Sequence, residues 1–339
     1  MWEFLRKVGI LITLLVGLFR YILNPADRGR VIKGFAVFMK CKELISYCSM
    51  LFVLLTSKAS CFSQTSVPEL NPAQVRALAL LNGSDTISIS PLWPHIKPTY
   101  FFSNIRANIL YPGKINQGHN TNFCSYAALT HLLIKYEPDN YTRMILSLYY
   151  TGKATLYSKK ILTPSKRVRQ AAGLLSDNGE LNILHANQLW FLAMADNFKG
   201  YLNLFDHKYS IGDENTFWAA TNYSKFNKMV REFGGYHVHA IGSDLVRPTK
   251  SKENLYKYMV SMLDTGLVMI YINNKLMYPH KFTLFNVPAP THFVVLYELH
   301  KINEMVEIKY WDYGLKTEQL ITMKRLKKTI YGVSSITKR

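Results

Sequence analysis

Acidic side chains are scarce in this 339-residue chain: 22 Asp and Glu stand against 41 Lys and Arg, a formal charge of +19. The excess is scattered rather than gathered into a nucleic-acid-binding signature, so nucleic acid is not an expected partner. A solvated basic surface able to rest on an anionic envelope is expected instead. No phosphate-cradling glycine loop and no dinucleotide fingerprint occur, which removes the nucleotide-dependent classes; no cofactor and no metal is expected. Internal repeats and low-complexity tracts are also missing. No apolar run makes a comfortable membrane span of about twenty residues. Cysteine is rare: of Cys41, Cys48, Cys61 and Cys124, only Cys124 lies beyond position 61.

What is present is enough for a full core. The chain is 48% apolar and 13% aromatic, as in a globular protein. Residues 1–59 read as a leader carrying nine basic and three acidic side chains. It holds two apolar stretches, Val8 to Leu23 and Leu44 to Thr56. The second has the basic start, apolar middle and small residues Ser57 and Ala59 of a secretory signal, with Met39 as a second candidate start. Export to the cell envelope or beyond is the expectation, with the leader cleaved after Ala59 or with either apolar stretch kept as an uncleaved anchor. Ala59-Ser60-Cys61 also resembles the end of a lipoprotein signal, although Lys58 replaces the usual aliphatic residue; the membrane would then be met only through the leader or a lipid on Cys61.

Residues 60–98, punctuated by five prolines, read as a linker or irregular segment with a helix at Pro72 to Leu81. The packed domain is expected to span 99–339. Helical periodicity appears at 124–136, 141–151, 182–197, 223–233 and 252–264. A short strand at 236–241 and runs of β-forming residues at 267–273, 291–299 and 305–313 follow. Helices first and strands last imply an α+β fold, with the helices grouped against an antiparallel sheet.

The chemistry centres on Cys124. A lone cysteine in an exported domain has no internal disulfide partner. This one opens a helix, preceded by Asn120, Thr121 and Asn122 as candidate caps. A sulfur there feels the positive end of the helix dipole, which favours the thiolate, and the first-turn N–H groups can donate to an oxyanion. Toward the C-terminus, centring the last hairpin on Ile302 sets His292 opposite Asp312, with Cβ atoms about 4.5–5.5 Å apart. The carboxylate would then orient the imidazole, provided the register does not slip by one residue. Thiol, imidazole and acid are the parts that thiol acyl transfer requires. His237 and His239 alternate on one strand without a third metal ligand nearby and read as surface residues. The runs Leu189-Trp190-Phe191 and Phe217-Trp218 read as core.

On these residues the chain resembles the papain-like cysteine peptidase superfamily, in the order Cys, His, Asp. The matching pieces are QGHNTNFCSYAAL at 117–129, and THFVVLYEL with the later YWDYG around His292 and Asp312. The likeness is to the divergent bacterial branch that includes the double-glycine leader peptidases. It implies a papain-like fold whose nucleophile helix packs on a C-terminal antiparallel sheet. It also implies cleavage of peptide or other amide bonds in a peptide or protein substrate by Cys124, His292 and Asp312. Gln117 inherits the oxyanion role, with Asn120 and Asn122 as substitutes of the same chemistry; its spacing of seven residues from Cys124 exceeds the usual six. The rival expectation is a non-catalytic exported binding protein on the same fold, using its basic surface.

Overall fold

The computed structural model describes residues 70–84, 88–118, 121–175, 183–198, 208–277 and 291–338. The leader, Cys41, Cys48 and Cys61, and with them the expectations on cleavage, anchoring and lipidation, lie outside the described residues, as do His119 and Asn120. The compact unit begins at Leu70.

A helical layer comes first. It comprises α1 (Pro72–Asn82), α2 (Pro98–Leu110), α3 (Cys124–Tyr136), α4 (Pro138–Thr151), α5 (Lys166–Ala171), α6 (His185–Phe198) and α7 (Tyr223–Gly234), with a small hairpin β1 (Ala154–Thr155) and β2 (Ile161–Leu162) between α4 and α5. The described part of the proline-punctuated segment, 70–84 and 88–98, packs into this layer and carries the expected helix. Asn71 caps α1 in a reciprocal box with Gln74, and Ala77, Leu81, Trp93 and Ile96 are buried. α2 was not expected, yet Phe101, Ile105 and Ile109 repeat every four residues and are fully buried. α3 has no polar stripe: Cys124 through Ile134 are all buried, so it is the central helix and not one side of an amphipathic pair.

The remainder is sheet-rich: β3 (His237–Gly242), α8 (Lys252–Thr265), β4 (Leu267–Ile272), α9 (Asn274–Met277), β5 (His292–Ile302), β6 (Met305–Asp312), β7 (Leu315–Thr322), α10 (Met323–Thr329) and β8 (Ile330–Thr337). Six strands form one antiparallel sheet in the order β3-β8-β4-β5-β6-β7. Helices first and an antiparallel sheet last give the expected α+β class. The two faces of the sheet are both covered, as alternation requires. Met269, Tyr271, Phe293, Val295 and Trp311 join the core of the helical layer. Val268, Ile270, Val294 and Leu296 join a second core with Leu255 and Met259 of α8 and Leu326 of α10. The rings of Tyr271 and Phe293 face each other across β4 and β5 at 4.2 Å, and Phe226 of α7 stacks on Phe293 at 4.4 Å. This aromatic column fixes the helical layer to the sheet beside His292.

The hairpin register differs from expectation. The turn is Asn303-Glu304, with Ile302 paired to Met305 and Asn303 at φ +55°. A ladder continued from there would set Asp312 opposite Val295 and turn His292 to the other face. Instead Tyr297 is an extra residue, a β-bulge between the pairs Leu296↔Tyr310 and Glu298↔Lys309. Beyond it Val295 pairs with Trp311, so Asp312 stands opposite Val294, one diagonal step from His292 and on the same face. The bulge restores the parity that the site requires.

Candidate active site

His292 is the first residue of β5 and Asp312 the last of β6, so both stand at one end of the sheet. The two are 2% exposed, and His292 Nε2–H donates to Asp312 Oδ1 at 2.5 Å. The first turn of α3 meets the same end, where the Cys124 thiol donates to the Thr291 carbonyl at 3.8 Å. With Nε2 committed to Asp312, Nδ1 is the ring nitrogen left for Cys124. Burial alone would depress His292. The charge of Asp312, the adjacent Tyr313 and hydrogen bonds with Asp312 and Cys124 outweigh it and hold the imidazole well above its ordinary range. Cys124, His292 and Asp312 are thus brought together from three segments. No group of three metal-ligating side chains occurs among the described residues.

The start of α3 differs from expectation in its cap. Phe123 occupies that position, and no side chain caps the first turn. Asn122 is turned away: its N–H donates to Glu214 O and its side-chain amide to Thr216 O, which ties the loop around Asp213–Asn215 to the approach of the nucleophile. One N–H of the Asn122 side chain is therefore committed to Thr216 O. Thr121 Oγ1 donates to Gln117 O and accepts from Phe123 N–H. The first-turn amides of α3, unclaimed by any side-chain cap, are the donors the site offers to developing negative charge.

Gln117 is buried at the end of a loop whose turn is made by Gly118 at φ +87°, with its N–H donating to Asn116 Oδ1.

Three further residues complete the surroundings of the site. Tyr313, at φ +48°, stacks on the His292 ring at 4.7 Å and 14° between planes, covering one face of the imidazole. Asn274 donates to the Tyr313 hydroxyl at 3.3 Å. Tyr126, two residues after the nucleophile, is buried with its hydroxyl unpartnered; burial and the neighbouring Cys124 push its phenol up, so it stays neutral. Adjacency to Asp312 was the available clue for Tyr313. Asn274 is 39 residues away in sequence and had none.

Elsewhere the sequence reading holds in part. His237 and His239 are exposed on the edge strand β3, where His239 bonds the Tyr258 hydroxyl. Leu189, Trp190, Phe191 and Trp218 are core, whereas Phe217 is 64% exposed. No described helix is long and apolar enough to cross a membrane.

No protein-family model matches the sequence, and no curated protein matches it either.

Proposed function

We propose that the protein is an exported cysteine hydrolase of papain-like type that cleaves peptide or other amide bonds. The observation that carries this reading is the convergence of Cys124 with a His292 already paired to a buried carboxylate, across 168 residues of sequence. A structural cysteine needs neither partner.

In this reading Cys124 Sγ attacks the carbonyl carbon while its proton is held on His292 Nδ1. The Cys124 N–H, uncapped at the start of α3, and the Gln117 side chain bind the oxyanion. As the tetrahedral intermediate collapses, the C–N bond breaks and the leaving amine takes the proton from His292. Water then attacks the thioester, giving its proton to His292; the acid leaves and the thiol is restored. Asp312 and Tyr313 hold the imidazole in plane throughout. Export and contact with an anionic envelope follow from the leader and the basic surface and belong to the same proposal.

The test is hydrolysis of a mixed peptide library by the full chain and its variants. Cys124→Ala is expected to abolish turnover. Asp312→Asn is expected to be milder than His292→Ala, since an amide still orients the ring; without His292 the thiol loses its proton acceptor. Turnover surviving in Cys124→Ala contradicts the proposal, as does a wild-type chain inert towards every member of the library. An inert chain that still binds anionic vesicles would favour the binding-protein reading.

A further inference from the structure

A second buried histidine lies on the nucleophile helix. His131 follows Cys124 by seven residues, two turns along α3, so both lie on one stripe of that helix. Each contact of the His131 ring reaches a different segment of the site. Nδ1–H donates to Pro112 O at 2.8 Å, in the loop that leads to Gln117. Nε2 accepts from the Tyr297 hydroxyl at 2.7 Å, and Tyr297 is the bulge residue of the strand that begins with His292. The ring stacks on Trp311 at 4.7 Å and 1° between planes; Trp311 immediately precedes Asp312, and its own N–H donates to Gly113 O at 2.9 Å.

We propose that His131 and Tyr297 are positioning residues: their hydrogen bond locks the nucleophile helix to the bulge that sets the His292–Asp312 register, and so assembles the four segments of the active site.

The inference rests on the hydrolase reading, but its geometry is independent of it. A carbonyl only accepts, so Nδ1 carries the hydrogen, and a neutral ring then accepts at Nε2. Both sides of the ring are used, and neither bond touches the reacting atoms. The bulge needs such a tie because the ladder on its turn side, from Ile302↔Met305 to Glu298↔Lys309, runs in the register that would separate His292 from Asp312. Tyr297 is further covered by Lys135, whose ammonium lies 4.5 Å from the ring centre.

Tyr297→Phe removes one oxygen and keeps the packed ring. A control, Leu326→Ala, opens a cavity in the second core, which contains none of Cys124, His131 and Tyr297. Two readouts are taken on the full chain: the rate at which iodoacetamide alkylates Cys124, followed by mass spectrometry of its peptide, and the deshielded Nε2 proton of His292 in the NMR spectrum. Tyr297→Phe is expected to slow alkylation roughly ten- to hundredfold, the scale of a misplacement near 1 Å. It should also shift or broaden the His292 proton while the chain stays folded. Leu326→Ala is expected to lower the melting temperature with both readouts at wild-type values. If Tyr297→Phe leaves both unchanged, or if the two variants disturb them equally, the positioning role is overturned. A wild-type Cys124 that reacts no faster folded than unfolded would instead count against the hydrolase reading, and the His292 proton would still decide the role of Tyr297.

Discussion

Two buried imidazoles, one on α3 and one on β5, are driven in opposite directions by their partners. His292 faces a carboxylate and is held well above its ordinary value despite burial. His131 faces a carbonyl, a phenol and an indole, with the Lys135 ammonium nearby; burial first, then Lys135, lower it to about 4, and its bond to Pro112 O only partly opposes them. The signs for stability follow. The pairing of His292 stabilises the fold below the unfolded value near 6.5 and is lost as pH rises through its raised value. His131, neutral when folded, contributes stability above 6.5 that is lost as pH falls through about 4. At 1.36 kcal/mol per pH unit this second loss is about 3 kcal/mol. Urea unfolding between pH 6.5 and 4 is therefore expected to show a steeper decline in wild type than in His131→Phe; equal slopes would contradict the assignment. Cys124, His292 and Asp312 were legible in the sequence because each is an uncommon choice in its place. His131 was not, since a histidine inside an apolar helix reveals nothing of what stacks on it.

Elements were legible where a single period governs them. The boundaries of α1, α7, α8, β3, β4 and β6 fall within a few residues of expectation, because a helical period or an unbroken run of β-forming residues marks each. β8 was missed for a physical reason. Gly332, Ser334 and Ser335 break up its β-forming residues, yet this is an interior strand whose small residues admit α7: a Cβ on Gly332 would lie 2.5 Å from the Tyr223 ring. Ser334 Oγ accepts from the Tyr223 hydroxyl and donates to Asn227 Oδ1. The bulge at Tyr297 was equally silent, since it is set by pairing between strands and not by composition. Another close approach lies beside the site. Gly314, at φ +77°, follows Tyr313, and a Cβ there would sit 2.8 Å from Ile115 O and 3.1 Å from Lys114 O. Gly314→Ala forces a strained left-handed residue against backbone and is expected to cost about 2 kcal/mol, or roughly 4–8 °C in melting temperature. It should slow Cys124 alkylation as well, because the turn bearing Asp312 and the loop before Gln117 must separate. Unchanged melting would show that the loop yields freely.

At the scale of the molecule the sheet lies between two cores, and the site forms at its end, where the helical layer docks. Neither layer holds it alone: the sulfur belongs to α3, the imidazole and the carboxylate to β5 and β6. A cysteine whose reactivity depends on that docking should lose it when the layers part. The most direct measurement is the rate of Cys124 alkylation by iodoacetamide at neutral pH in the folded chain and in the same chain unfolded in urea, read from the peptide that contains Cys124. The account predicts much faster alkylation in the folded state, falling to the unfolded rate in His292→Ala; equal rates in the folded and unfolded wild-type chain would contradict it.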